Sequence, residues 1–240
     1  MHYLALATDY DGTIATDGAV DEPTLTALER LRGSARRLIL VTGRELTDLQ
    51  QVMPRLDLFD LVVAENGALL YDPTNHEEQA LGDAPPAAFV ERLRELEVAP
   101  LWVGRVIVAT RQPHAGKVLK AIDELGLNLQ ITFNKSSVMV LPAGVTKASG
   151  LRGALAQLGL SPLNCIGVGD AENDLAFLDV CGLPVAVANA LSSVKERAAF
   201  VTTGARGAGV AELIDQLLTT DLAEFDATGE QGRVVLVADE

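Results

Sequence analysis

The sequence predicts an α/β protein: a parallel sheet covered by helices, interrupted by an α+β insert. Three observations carry this prediction. Short apolar runs alternate with segments of helical period toward both ends of the chain. The alternation breaks between residues 73 and 144. Polar clusters recur just after the apolar runs, where open α/β sheets place their ligands.

Residues 3–8 predict the first strand. Residues 22–32 predict a helix, with Asp21 as N-cap and Leu25, Leu28 and Leu31 on one face. A second strand follows at 37–42, a helix at 45–53 stopped by Pro54, and a short third strand at 61–64. The stretch 72–82, DPTNHEEQALG, is polar and turn-rich, and Pro85 opens a helix that runs to about residue 97. Residues 101–110 read as two short strands or one bent at Gly104. Residues 113–125 read as a helix, and 129–133 with 136–141 as a hairpin around Asn134 and Lys135.

From Lys147 the first rhythm resumes, with a helix at 147–158, a strand at 164–168, a helix at 173–180, a strand at 183–187 and a last helix at 209–218. The expected division is a core of residues 1–72 and 145–220, an inserted domain of 73–144, and an acidic tail of 221–240. The tail carries DLAEFDATGEQG, then VVLV and ADE. It reads as a solvated linker with a final edge strand, or as the lead into a further domain beyond Glu240.

Composition narrows the function classes. The 240 residues, 48% hydrophobic, suffice for a full core. A net charge of -14, from 33 acidic against 19 basic residues, argues against nucleic acid and against an anionic membrane surface, both of which select Lys and Arg. Cys165 and Cys181 lack the spacing of a zinc site or a disulfide framework and read as reduced, buried thiols. The N-terminus lacks a basic segment followed by a long apolar one, and no run reaches the roughly 18 apolar residues of a membrane span. A cytoplasmic protein is expected.

The polar clusters carry the chemistry. In TDYDGT, Asp9 and Asp11 stand two apart at the end of the first strand, so both can face the mouth of the sheet while Tyr10 points away. Two carboxylates that close repel unless a cation or proton relieves them. VTGR (Thr42, Gly43, Arg44) ends the second strand and ENGA (Glu65, Asn66, Gly67) the third. GDAEND, with Asp170, Asn173 and Asp174, follows the strand at 164–168, and Asn189 follows the next. Asp170 and Asp174 also stand where a helix start favours acids for capping. Lys147 opens a helix, where the dipole disfavours a cation, and this favours a ligand role.

In this order, DxDGT, a Thr at the second strand, a Lys opening the helix after the insert and GDxxND at the fourth strand resemble the haloacid dehalogenase superfamily of phosphatases. The insert, by its position and α+β pattern, is similar to the type IIB cap of the Cof-like branch, which acts on sugar phosphates and phosphoglycolate. The resemblance implies a Rossmann-like core with an inserted type C2B cap. It implies Asp9 as nucleophile toward a phosphomonoester and Asp11 as general acid and base. Mg2+ would be held by Asp9, Asp170, Asp174 and Asp11, the last through its backbone carbonyl. Thr42, Gly43, Lys147 and Asn173 would bind the phosphate, and Arg44, Asn66, Arg105, Lys135 and Asn189 would contribute to substrate choice. Arg111, His114, Lys117 and Asn134 are further polar groups of the insert. The expected partner is a small phosphorylated metabolite. A regulatory phospho-acceptor of the receiver type fits less well, because its acceptor Asp follows the third strand, where this chain has Ala64 and Glu65. A catalytically idle phospho-ligand-binding module stays open.

Overall fold

The computed structural model describes residues 2–134 and 136–222. The linker and edge-strand readings of residues 223–240, and Lys135, lie outside the described residues.

The first part of the chain forms β1 (Ala5–Thr8), α1 (Glu22–Gly33), β2 (Arg37–Val41), α2 (Leu46–Val52), β3 (Leu61–Ala64), β4 (Leu69–Asp72) and β5 (Glu77–Ala80). The insert forms α3 (Ala87–Glu95), β6 (Trp102–Val103), β7 (Val108–Arg111), α4 (Ala115–Glu124), β8 (Leu129–Asn134) and β9 (Ser137–Pro142). The last part forms α5 (Lys147–Gln157), β10 (Cys165–Gly169), α6 (Leu175–Leu178), β11 (Leu183–Ala186), α7 (Ser192–Arg197), β12 (Phe200–Val201) and α8 (Arg206–Thr220).

Among the described residues eight strands make one sheet in the order β12-β11-β10-β1-β2-β3-β4-β5. It is parallel from β12 to β3, and β4 and β5 are added antiparallel. Strands β1, β3 and β10 are buried at every position, as strands covered on both faces must be. Helix α1 packs with α8, and α5 packs with α6 and against β2 to β4. The N-cap expected at Asp21 is present: its carboxylate accepts the Thr24 N–H at 2.9 Å. Cys165 and Cys181 are free and buried in this core.

The insert builds a four-stranded antiparallel sheet, β6-β7-β9-β8, with its own apolar core of Phe89, Leu93, Val108, Val118, Val138 and Val140 beneath α3 and α4. Of the two readings of residues 101–110, the structure shows two strands joined by the turn Gly104–Ile107. A small cluster of Ala68, Val106, Ile107, Met139, Leu141 and Val145 joins insert to core.

Several elements differ from expectation. The turn-rich stretch 72–82 contains β5, which belongs to the large sheet; EEQA is exposed at all four positions, so it carries no apolar alternation to read. Neither α7, in which only Val194 is buried, nor the two-residue β12 was predicted. The helix expected at 173–180 is a 3-10 turn, Glu172–Asp174, leading into the short α6. The last helix begins three residues earlier than read, at Arg206. Among the described residues no helix is long and apolar enough to cross a membrane.

Candidate active site

Thr8, the last residue of β1, is in register with Leu40 of β2 and Val168 of β10. The chain therefore leaves three strands along one edge, and Asp9, Thr42 and Asp170 gather there from distant parts of the sequence. The Asp9 N–H stays in the ladder, donating to Val168 O at 2.9 Å, while its carboxylate is turned inward and buried.

Lys147 arrives from the other side. Helix α5 starts with a reciprocal cap, in which the Thr146 hydroxyl accepts the Ser149 N–H at 3.2 Å and the Ser149 hydroxyl accepts the Thr146 N–H at 2.9 Å. Its first residue, Lys147, is 1% exposed and donates from Nζ to Asp9 Oδ1 at 2.5 Å and to Asp174 Oδ1 at 2.7 Å. The other Asp174 oxygen accepts the N–H groups of Asp170 and Ala171, both at 3.0 Å. Thr13 Oγ1 lies between Asp9 Oδ2 at 3.2 Å and Asp170 Oδ1 at 3.3 Å.

Asp9, Asp170 and Asp174 thus offer oxygens that all lie within 4.8 Å of one another. Among the described residues the Lys147 ammonium touches two of these carboxylates, those of Asp9 and Asp174. Burial first, and then the charges of Asp174 and Asp170, push the Asp9 carboxyl from 3.8 up to about 7, although Lys147 works against them. Burial works to lower the Lys147 ammonium, but Asp174 and Asp9 beside it prevail and hold it above its ordinary value. Three buried carboxylates offering an all-oxygen donor set suit a hard dication. Asn173 Oδ1, buried at the same edge and without a hydrogen-bond partner among the described residues, is a further oxygen left for a ligand or its water.

Asp11 lies at the rim. Its two oxygens receive Nε and Nη2 of Arg44, each at 2.7 Å, and Arg44 also reaches Asp48 at 2.6 Å. Thr42 is buried, and its hydroxyl accepts the Arg44 N–H at 3.1 Å. A cavity of about 160 Å³ opens over Asp9, Asp11, Asp170 and Asn173, roofed by Asn134 and Ser137 of the insert. At Gly43, Arg44 and Ser137 it adjoins a larger one of about 450 Å³, between Glu45 and Asp48 of the core and Trp102 and Arg111 of the insert. Arg111 stacks over the Trp102 ring, 5.8 Å from its centroid.

Other expected residues stand elsewhere. Arg105, read as a selector, lines neither cavity; its guanidinium pairs with Glu78 of β5 at 2.8 and 3.2 Å, on the seam between core and insert. Asn189 ties two loops, donating to Gly12 O at 2.8 Å and accepting the Arg206 N–H at 2.7 Å. His114 meets Ala99 O and Lys117 meets Glu97 O, both within the insert. Asn66 is buried in a left-handed turn, φ 56°, its N–H on Thr42 O at 2.9 Å.

Two residues of this region were not singled out from the sequence, Thr13 and Glu65. The first closes the DxDGT signature, and its place between two acids could have been inferred from it. Gly67 fixes the turn after Glu65 against α5: at φ +103°, a Cβ there would lie 1.9 Å from Thr146 O. Gly67→Ala is expected to cost at least about 2 kcal/mol in a urea titration, since no rotamer relieves a backbone clash. An unchanged midpoint would contradict this packing.

Carboxylates and a lysine converging at the carboxyl edge of a parallel sheet, under a roof supplied by an insert, place the molecule among hydrolases with a Rossmann-like core and an inserted cap. Within that class the chain belongs to the haloacid dehalogenase-like hydrolase family, whose profile matches residues 6–96 and 101–214. It is 31% identical over 224 residues to a phosphoglycolate phosphatase of Methanothermobacter thermautotrophicus, covering 89% of this chain and 98% of the relative. The fold is similar to a haloacid dehalogenase-like hydrolase from Bacteroides thetaiotaomicron, with a TM-score of 0.74 at 20% identity, over 90% of this chain and 99% of that one. It is also similar to a subclass IIB sugar phosphatase of the same superfamily, with a TM-score of 0.72 at 19% identity, over 89% and 98%.

Proposed function

We propose that the chain is a Mg2+-dependent phosphomonoester hydrolase, working through an aspartyl-phosphate on Asp9, with a small phosphorylated metabolite as substrate. The observation that carries this reading is the buried Lys147 ammonium held between Asp9 and Asp174, with Asp9, Asp11 and Asp170 lining one cavity.

Asp9 is the nucleophile: one of its oxygens bonds to phosphorus as the bond from phosphorus to the leaving oxygen breaks. Asp11, once it has left its bidentate pair with Arg44 and taken up a proton, gives that proton to the leaving oxygen. It then takes a proton from the water that attacks phosphorus, which releases inorganic phosphate and restores Asp9. Lys147 holds the Asp9 carboxylate in place and offsets negative charge as the phosphoryl group arrives. The hydroxyl of Thr42, the N–H of Gly43 and the amide of Asn173 are the candidates to bind phosphoryl oxygens. Asp9 and Asp170 would hold Mg2+ with the Asp11 carbonyl, and Asp174, whose oxygens already serve Lys147 and two N–H groups, would support them. When bound, Mg2+ neutralises these carboxylates and polarises the phosphoryl group.

The insert, beyond β5, is the cap that chooses the leaving group. Phosphoglycolate and sugar phosphates head the list of substrates, as the classes for which the two named phosphatases above are called. The test is phosphate release from a panel of phosphomonoesters with and without Mg2+. Release that needs Mg2+ supports the reading, and a chain that binds such esters without hydrolysing any would favour the idle module. For the cap, Trp102→Ala and Arg111→Ala are expected to shift the ranking of substrates with larger leaving groups by about tenfold, while leaving p-nitrophenyl phosphate within about twofold. An unchanged ranking would remove the larger cavity from substrate choice.

A further inference from the structure

Among the described residues, Glu65 is the one buried acid outside the Asp9 cluster, and the mechanism above gives it nothing to do. Its carboxylate is not alone. Oε1 accepts the N–H of Arg105 at 2.8 Å, and Oε2 accepts those of Val106 at 2.7 Å and Ile107 at 2.9 Å. Three successive amides of the cap turn between β6 and β7 therefore converge on one core carboxylate, as backbone N–H groups do around an anion. The turn has Gly104 where the carboxylate enters, since a Cβ there would lie 2.6 Å from Oε1. Val106 and Ile107, which give two of the three N–H groups, belong to an apolar cluster with Ala68 and Met139, and an apolar setting strengthens charge-assisted hydrogen bonds.

The other end of Glu65 is fastened to the catalytic loop. Its N–H donates to Arg44 O at 2.9 Å, and the next N–H, of Asn66, donates to Thr42 O at 2.9 Å. Both residues are left-handed, with φ of 52° and 56°, a conformation that costs a non-glycine residue energy and is kept only when its surroundings enforce it. The strained turn aims the side chain at the cap while its backbone holds the loop that carries Thr42, Gly43 and Arg44. The same cap turn supplies Ile107 to the larger cavity.

We propose that Glu65 is a positioning residue that ties the cap turn Gly104–Ile107 to the loop Thr42–Arg44 and so sets how the cap sits over Asp9. Its kinetic consequence rests on the hydrolase reading; its structural one does not.

The test uses the full chain as wild type, Glu65→Gln, Glu65→Ala and, as a control, Glu78→Gln, which removes a solvent-exposed partner of the same turn. Hydrogen exchange at the amides of Arg105, Val106 and Ile107 is expected to rise at least about tenfold in Glu65→Ala. Glu65→Gln should be intermediate, because its carbonyl oxygen can still accept while its NH2 meets an N–H. With the best ester of the panel, kcat/KM is expected to fall about tenfold in Glu65→Ala, mainly through KM. Hydrolysis of p-nitrophenyl phosphate and the Mg2+ dependence should hold within about twofold, and Glu78→Gln should match wild type. If Glu65→Ala fails to fold, Glu65→Gln carries both measurements.

Unchanged exchange at the three amides would overturn the proposal. So would faster exchange with kcat/KM unaltered on every ester. A wild type that hydrolyses no ester at all refutes the hydrolase reading instead, and the exchange measurement still decides whether Glu65 holds the turn.

Discussion

Asp9→Asn is expected to lose phosphate release by at least about a thousandfold and yet to melt higher than wild type at pH 8 in EDTA. The two effects have one cause. Asp9 is buried among like charges, and its carboxyl is raised from 3.8 to about 7 in the folded chain. Between those values the folded protein keeps a proton that the unfolded chain has lost, so stability falls as pH rises from about 4 to about 7. Above that window the full penalty is present, up to about 4 kcal/mol for a shift of this size. Asparagine carries no charge to bury and removes the penalty. The gain in melting temperature should accordingly be large at pH 8 and vanish toward pH 4. Equal melting curves at pH 8 would mean that Asp9 is not strained by its neighbours, and undiminished phosphate release would end its assignment as nucleophile.

Lys147→Met is the opposite case. The side chain is 1% exposed and is the ammonium between Asp9 and Asp174, so its loss leaves two buried carboxylates facing each other. Removing one partner of a buried ion pair costs about 3–5 kcal/mol, more than an exposed pair could. The unfolding free energy from urea titration in EDTA at pH 8 should drop by that amount. The drop should shrink at pH 5, where Asp9, with its raised pKa, takes up a proton. Activity should fall at least about a hundredfold. Asp9→Asn combined with Lys147→Met should be less destabilised than the lysine variant alone, because the two groups act on each other directly. A midpoint unmoved by Lys147→Met would contradict the geometry on which the site is built.

What could be read from the chain follows from which forces leave a trace in it. The buried strands of the core are continuous apolar runs, and their carboxyl ends are marked by motifs whose resemblance to a known family implied that Asp9, Lys147 and Asp170 share one site. Helix α1 announced itself through Asp21 and a leucine stripe. By contrast β5 is an exposed edge strand of EEQA, held by its ladder with β4, and a ladder of backbone bonds writes nothing into side chains. Helix α7 buries only Val194 and leaves no periodicity. Arg105 illustrates a different limit: its charge was visible, but its pairing with Glu78 depends on where β5 lies. Arg44 was read as a selector, and its bidentate hold on Asp11 rests on a side-chain direction that spacing does not contain. Glu65 was quoted only as part of ENGA. An acid just after an all-buried strand was the available signal, but its partners are cap amides forty and more positions away, which only the fold brings near.

The most direct test of the account is to find where the phosphoryl group rests during turnover. Asp11→Asn, which can attack but cannot activate water, is mixed with the best ester of the panel and Mg2+, quenched in acid and digested. Mass spectrometry should then find one phosphoryl group on the peptide that contains Asp9, and none when Asp9→Asn is added to the same chain. Phosphate released by wild type with no label on that peptide, or with label on another residue, would contradict the assignment of Asp9 as nucleophile.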